Sequence, residues 1–211
     1  MLLEFKIKNY KSFAEEAVFS MVAAPKQKGL DYSLMKTRVK GKEIKGLSSS
    51  VIYGPNASGK TNIIGAMDVL RSIVLRGNIR NSEEKSSPNP AAEALELIPN
   101  SDDTEGKPVC FSIEFYTGDA ENQFRILYEL EIDLGVFLNE DYPRRIISEN
   151  LFVNGEPVFQ RSGRLYLGNM KVIKGYLSGV TVQNPDSISE IAENSLSQDE
   201  LFLTNGFRLV V

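Results

Sequence analysis

A short segment in the first third of the chain carries the residues best suited to chemistry. Residues 54–61, GPNASGKT, match the phosphate-binding pattern GxxxxGK(S/T). Gly54 and Gly59 let the backbone approach an anion without an intervening Cβ, so that backbone N–H groups can surround phosphate oxygens. Lys60 would add a positive charge for the β- and γ-phosphates, and Thr61 a hydroxyl ligand for Mg²⁺. A glycine-rich turn that binds nothing would explain the glycines, but not the Lys-Thr pair.

Two elements must hold this loop in place. Residues 48–53, SSSVIY, are short, rich in β-branched side chains and bounded by serine and glycine, which predicts a buried central strand. After Gly59 the apolar residues recur every three or four positions, which predicts an amphipathic helix that ends near Gly77. Its apolar stripe consists of Ile63, Ala66, Met67, Leu70, Ile73 and Val74.

The remaining patterns predict a chain dominated by strands, with helices after them. Alternating residues indicate strands at 2–8, 17–23, 109–117 and 124–133, and Asn154-Gly155 indicates a tight hairpin. Residues 25–46 are interpreted as an exposed hairpin or loop, 78–108 as a long flexible loop, and 187–207 as short helices.

Composition limits the classes of protein and of site. The 211 residues are 42% hydrophobic and 25% charged with a net charge of -4, as in a soluble globular domain. The lone cysteine, Cys110, excludes an internal disulfide, and the lack of histidine excludes histidine metal ligands and histidine bases. The sequence has neither an apolar run of membrane-spanning length nor a signal-peptide core near Met1, so we expect a cytoplasmic protein without a membrane partner.

Two motifs together carry a family resemblance. The N-terminal LLEFKIKNYKSF, followed by VIYGPNASGKTNIIGAM, resembles the ABC-type ATPase heads of the RecF, SMC and OLD-like group, and in particular bacterial AAA-domain ATPases. Less specific similarity continues through FRILYELEID, RRIISENLF, VFQR and NSLSQDELFL. The resemblance implies an α/β P-loop NTPase fold, with an ABC-ATPase-like lobe and an antiparallel β subdomain. Residues 1–211 would form the N-terminal part of the ATPase domain, with 78–108 as a flexible insertion and 109–161, together with 1–24, as the β-lobe.

The resemblance also implies a nucleotide site for ATP and Mg²⁺. The motif residues expected to bind nucleotide are Gly54, Pro55, Asn56, Ala57, Ser58, Gly59, Lys60, Thr61 and Asn62, with Thr61 also at the metal. The NYKSF turn would lie beside the base and ribose, which adds Lys11, Ser12 and Phe13, with Asn9 and Tyr10 as neighbours. Without the resemblance, NYKSF would be interpreted as an ordinary solvated β-turn.

Two catalytic motifs of such heads lack a convincing match. Residues 137–141, FLNED, and 130–133, LEID, are the nearest acidic matches to the metal- and water-binding Asp-Glu pair, but both lie in the predicted antiparallel region. Residues 176–180, YLSGV, contain the Ser-Gly of the signature motif without a following amphipathic helix. Gln160 and Gln183 both suit the glutamine that senses Mg²⁺, although each could be a polar residue at a strand end. No catalytic residue is assigned, and an incomplete ATPase, either a part of a longer protein or a natural short copy, is the expectation.

Three other functions remain open. A small-molecule kinase would need alternating parallel strands and helices after the loop, and a GTPase would need a base-reading motif beyond the DTEG of residues 103–106. A nucleotide-binding interaction module without turnover would lack only the hydrolytic carboxylate.

The resemblance implies ATPase activity in a head-to-head homodimer that acts on DNA or on an effector protein, in DNA repair or phage defence. The basic residues 36–45 suit either nucleic acid or a solvated hairpin, and the hairpin is favoured.

Overall fold

The computed structural model describes residues 1–24, 29, 31–39, 42–81, 95–118, 123–139, 141–169 and 185–206. The strands are β1 (Leu2–Lys8), β2 (Ala17–Ser20), β3 (Leu34–Val39), β4 (Lys42–Leu47), β5 (Val109–Gly118), β6 (Gln123–Asp133), β7 (Arg145–Val153), β8 (Glu156–Ser162) and β9 (Arg164–Leu167). The helices are α1 (Lys60–Arg76) and α2 (Pro185–Ser195), with a 3₁₀ turn at Asp31–Ser33 and a π-helical turn at Phe202–Gly206.

Seven strands form one antiparallel sheet in the order β2-β1-β5-β6-β7-β8-β9, and β3 and β4 form a separate hairpin. The antiparallel strands predicted after residue 109 are found, and the sheet continues through β9 to Leu167. All strand pairs in the described part of the chain are antiparallel, so residues 109–162 lack the alternating pattern that the kinase interpretation requires.

The two faces of the sheet differ as strand alternation predicts. One row of directly paired residues is apolar and mostly buried: Phe5, Ile113, Tyr128, Leu151, Phe159 and Leu167. The neighbouring row, one position along each strand, is polar: Lys6, Ser112, Glu129, Asn150, Gln160 and Tyr166. Because side chains alternate between the faces of a sheet, the apolar row joins the core while the polar row lies on the opposite face.

Helix α1 packs on this core, as its apolar periodicity predicts. Its fully or nearly buried residues are Ile63, Ala66, Val69, Leu70 and Ile73, while the predicted stripe members Met67 and Val74 are partly buried. Gly77 ends the helix in the left-handed conformation (φ 76°), and its N–H donates to the Ile73 carbonyl at 2.9 Å. The predicted helix and its glycine stop are both confirmed.

The predicted central strand before the loop is wrong. Residues 49–54 form no strand, and the side chains of Val51 and Tyr53 are 80% and 87% exposed. A β-branched segment forms a strand only when a neighbouring strand offers backbone partners and a packing surface. None of the described strands pairs with this segment, so it does not form a strand despite its β-branched side chains.

Other predicted elements are found with different bounds. The strand predicted at 17–23 ends at Ser20, and the short helices predicted at 187–207 are α2 and the π-helical turn. The Asn154-Gly155 turn joins β7 to β8 with both residues left-handed (φ 55° and 85°), the conformation of a type I′ hairpin. Residues 78–81 and 95–108 contain no helix or extended strand, and residues 82–94 lie outside the described part. Among the described residues, no helix is both long enough and apolar enough to cross a membrane.

Candidate phosphate-binding site

The phosphate-binding loop leads directly into the first turn of α1. Ala57 (φ 64°) and Gly59 (φ 84°) are left-handed, and Gly59 precedes the helix without any side-chain hydrogen bond that caps it. The Gly59 carbonyl accepts the N–H groups of Asn62 (2.9 Å) and Ile63 (3.3 Å). A helix start without a side-chain cap presents N–H donors and the positive end of the helix dipole, the combination that binds phosphate groups.

The ammonium of Lys60 folds back over the loop. Its Nζ donates to the carbonyl oxygens of Gly54 at 2.8 Å and of Pro55 at 2.5 Å. A phosphate oxygen is a stronger acceptor for an ammonium than a neutral carbonyl, because both partners are charged. Lys60 is therefore held at the loop in a position from which it can turn to an anion.

The NYKSF turn lies against the same loop. A Cβ atom at Gly59 would come within 2.8 Å of Ser12 Oγ and 3.1 Å of the Phe13 ring, and Asn62 Nδ2 donates to Ser12 Oγ at 2.7 Å. The structure thus brings together two motifs that are more than 40 residues apart in the sequence. Of the residues predicted to bind nucleotide, Lys60, Asn62, Ser12 and Phe13 all contact the loop or its neighbours.

The turn is firmly held from behind. Tyr10 and Phe13 exchange backbone hydrogen bonds (2.9 and 2.8 Å), and Tyr10 is fully buried. Lys11 is left-handed (φ 46°), its carbonyl accepts from Asn100 Nδ2 at 2.6 Å, and its Nζ contacts Glu96 Oε2 at 2.5 Å. The turn is thus an anchored part of the fold, and not the freely solvated β-turn that NYKSF suggests without the family resemblance.

Asn9 connects the turn to the loop that precedes β5. Its Nδ2 donates to Asp103 Oδ2 at 3.0 Å and to the Lys107 carbonyl at 2.6 Å, and the same Asp103 oxygen accepts the Lys107 N–H at 2.7 Å. Asp103 is the first residue of DTEG, and these bonds give its carboxylate a structural role. Nothing in the sequence pattern indicated this pairing, because the residues are 94 positions apart.

Asp133, the last residue of the LEID candidate, is engaged in its own local network. It accepts hydrogen bonds from the Gly135 N–H (3.0 Å), the Tyr142 hydroxyl (2.8 Å) and Arg145 Nη2 (2.7 Å). Burial by itself would raise the pKa of this carboxyl, but these donors outweigh it and lower the pKa below its ordinary value. Asp133 is therefore an ion-paired carboxylate at the end of β6.

The other catalytic candidates find no support in the described residues. Asp141 is exposed, and Glu140, Gln183 and residues 176–180 lie outside the described part of the chain. Gln160 lies in the polar row of the sheet, paired with Asn150 and Tyr166. Among the hydrogen bonds and ion pairs of the described residues, none joins a carboxylate to residues 54–61.

Neither an activated thiol nor a preformed metal site occurs among the described residues. Burial, with Glu131 nearby, raises the pKa of the Cys110 thiol to about 11, so this cysteine is a poor nucleophile at neutral pH. No group of three or more Cys, Asp or Glu side chains in the described ranges is arranged to hold a metal ion. A magnesium ion at the phosphate-binding loop would be coordinated by Thr61 and by phosphate oxygens, as the motif predicts.

The basic hairpin β3–β4 shows partly neutralised charge. Lys36 Nζ contacts Asp31 Oδ1 at 2.9 Å, and Lys45 Nζ contacts Glu43 Oε1 at 3.3 Å. Thr37 Oγ1 also hydrogen-bonds Gln123 Oε1, which attaches the hairpin to β6. Neutralised cations lose much of their attraction for nucleic-acid phosphates, so these contacts favour the solvated-hairpin interpretation.

A fully buried carboxylate, Glu149 on β7, was not anticipated. Its oxygens accept from the Tyr128 hydroxyl (3.0 Å) and from the N–H groups of Phe202 (2.7 Å) and Leu203 (2.9 Å), and Arg161 Nη1 lies 3.8 Å away. Burial raises the pKa of Glu149, and these donors oppose that effect. The only sequence signal was a glutamate at an inward-facing position of an alternating strand.

Comparison with known proteins adds one family. The family model described as "AAA domain, putative AbiEii toxin, Type IV TA system" matches residues 49–167, more than half of the chain. The match begins before the phosphate-binding loop and ends with β9. No curated protein matches the sequence.

Proposed function

We infer the function from the family to which the chain belongs, the AAA domains described as "putative AbiEii toxin, Type IV TA system". We propose that it binds ATP with Mg²⁺ through Gly54–Thr61, and that it acts as the nucleotide-binding part of an ATPase. The observation that carries the proposal is the start of α1, where Gly59 leaves the helix without a side-chain cap beside the Lys60 ammonium.

Each motif residue has a definite role in this proposal. The loop backbone from Gly54 to Gly59 and the first N–H groups of α1 would bind the phosphates, while Lys60 would exchange its carbonyl partners for phosphate oxygens. Thr61, which is exposed at the first turn, would hold Mg²⁺ together with those oxygens. Bound magnesium would neutralise charge on the β- and γ-phosphates.

We propose further that this ATPase is a head of the RecF, SMC and OLD-like ABC type. It is supported by the contact of the NYKSF turn with Gly59 and by the antiparallel sheet that follows the loop. We propose the corresponding biology as well: a cytoplasmic protein whose heads associate face to face around ATP and act on DNA or on an effector protein. Residues 1–211 would serve as the N-terminal part of that ATPase domain, with its β-lobe at 1–24 and 109–161.

A nucleotide-binding interaction module without turnover is the second candidate. It is favoured by one observation: within the described residues, no carboxylate is hydrogen-bonded or ion-paired to the loop. In that case ATP would control the association of the protein with a partner. The two candidates share the same binding site and differ only in phosphate release.

The test is calorimetric titration of the 211-residue chain with ATP and Mg²⁺, for the parent and for Lys60→Ala. Loss of a charged hydrogen bond to phosphate should weaken binding by about 1.5–3 kcal/mol, roughly ten- to a hundredfold. Lys45→Ala, which removes an exposed lysine from the hairpin, should bind like the parent. Equal affinity of the parent and Lys60→Ala would refute the proposed site.

A further inference from the structure

A hydrogen bond crosses from helix α1 to the NYKSF turn. Asn62 Nδ2 donates to Ser12 Oγ at 2.7 Å, over a sequence separation of 50 residues. An amide nitrogen can only donate, so the serine oxygen acts as acceptor and its own hydrogen takes no part in the bond. Among the hydrogen bonds of the described residues, the Ser12 hydroxyl donates none.

The surroundings of Ser12 restrict where this free donor can point. Its Oγ would lie 2.8 Å from a Cβ at Gly59, so the hydroxyl lies next to the residue that immediately precedes α1. The backbone bonds between Tyr10 and Phe13 fix the turn behind it, while the Ser12 residue itself remains exposed. The hydroxyl is therefore held at the surface where the loop meets the positive end of the helix.

We propose that Asn62 is a positioning residue, which orients Ser12 so that the serine hydroxyl donates a hydrogen bond to a phosphate oxygen of the bound nucleotide. This inference rests on the proposed function. It divides two residues that the sequence groups together as nucleotide contacts: Ser12 touches the ligand, and Asn62 acts through Ser12.

The first experiment is a double-mutant cycle, with binding of ATP and Mg²⁺ measured by calorimetry on the 211-residue chain. Ser12→Ala and Asn62→Ala should each weaken binding about three- to tenfold, the range of one hydrogen bond. The double variant should bind ATP with about the same affinity as the single variant that binds less tightly, because the same bond to the nucleotide is lost in each case. Additive losses would overturn the inference.

The second experiment reverses the direction of the hydrogen bond. In Asn62→Asp, a carboxylate of nearly the same shape would accept the serine hydrogen and leave no donor for phosphate. Its negative charge would also repel the nucleotide, so the same change is made in the Ser12→Ala background to measure repulsion alone. Asn62→Asp should cause a larger fold-loss in the parent than in that background, and equal losses would overturn the inference. A purely structural role of Asn62 predicts no such difference.

Controls separate this inference from the proposed function and from unfolding. Ser12→Ala removes a single oxygen from an exposed residue, so it tests the contact of Ser12 with the nucleotide even if an Asn62 variant fails to fold. Unchanged binding by Ser12→Ala would overturn the inference. Asn194→Ala, on the exposed surface of α2, should bind like the parent. If Lys60→Ala shows that the parent does not bind through the loop, both proposals fail. If binding depends on Lys60 but the cycle is additive, only the role of Asn62 is wrong.

Discussion

The carboxylate of Glu149 in β7 accepts the backbone N–H of Phe202 at 2.7 Å, across 53 residues of sequence. It thereby attaches the start of the π-helical turn to strand β7 of the sheet. Arg161 supports the same junction from β8, because its Nη1 donates to the Glu200 carbonyl at 2.6 Å. On the other side, the Leu201 N–H donates to the Gly77 carbonyl at 2.8 Å. The end of helix α1, the sheet and the segment after α2 therefore meet at one polar junction.

Glu149→Ala should lower the free energy of unfolding by about 3–5 kcal/mol. The change removes the acceptor of the Tyr128 hydroxyl and of two backbone N–H groups, and it leaves the half-buried Arg161 guanidinium without its nearby carboxylate. Urea unfolding followed by circular dichroism measures the effect. Glu156→Ala, at an exposed position of the β7–β8 hairpin, should change stability by less than about 0.5 kcal/mol. A similar small effect of Glu149→Ala would show that the junction adds little stability.

The same residue should give stability a defined pH dependence. Because burial raises the pKa of Glu149, the native state holds its proton at pH values where the unfolded state has released it. The contribution of Glu149 to stability is therefore fully present below its unfolded pKa and declines as the pH rises through the native value. Urea unfolding between pH 4 and pH 8 should show this decline in the parent and not in Glu149→Gln. Parallel profiles for the two proteins would contradict the raised pKa.

Gly59→Ala should impair nucleotide binding more than its backbone strain explains. A non-glycine residue at φ 84° is strained by about 1–2 kcal/mol, and the new Cβ would also clash with Ser12 and Phe13. Gly155 is a matched control, with φ 85° and nothing within 4 Å of an added Cβ. Gly155→Ala should lose similar stability while it binds ATP like the parent. Calorimetry and thermal unfolding of both variants separate strain from steric exclusion, and equal binding by the two would refute the contact.

The 211-residue chain should bind ATP but release phosphate slowly or not at all. Attack on the γ-phosphate requires a group that orients the water, and none of the described carboxylates is hydrogen-bonded or ion-paired to the loop. A steady-state phosphate-release assay on the parent, on Lys60→Ala and on any longer version of the same gene measures the difference. Fast, Lys60-dependent release by the 211-residue chain would reveal an overlooked carboxylate, and Glu140 and Asp141 would be the first residues to replace.

Local patterns in the sequence predicted the elements that depend on local physics. The period of the apolar residues located α1, Gly77 marked its end, and Asn154-Gly155 located a hairpin. The strand at residues 48–53 was predicted wrongly, because a strand depends on a neighbour that its own sequence cannot specify. The match to the GxxxxGK(S/T) pattern located the loop and its helix start.

Contacts between distant residues could not be predicted in the same way. The bond from Asn62 to Ser12 and the bonds of Glu149 to the 202–203 backbone depend on how separate elements meet. Neither leaves a regular spacing in the sequence. The family resemblance predicted that NYKSF lies near the nucleotide site. It did not indicate which side chain of NYKSF would hydrogen-bond to helix α1.

The pairing of β1 with β5 also has a kinetic consequence. Lys8 lies opposite Cys110. The phosphate-binding loop and helix α1 therefore lie in the long connection between two strands that are neighbours in the sheet. Closing so large a loop costs entropy before its contacts can repay it, and topologies of this kind fold in milliseconds to seconds and not in microseconds. The turn that adjoins Gly59 begins immediately after Lys8. The nucleotide site should therefore be among the last parts of the molecule to form during refolding, after the sheet has closed.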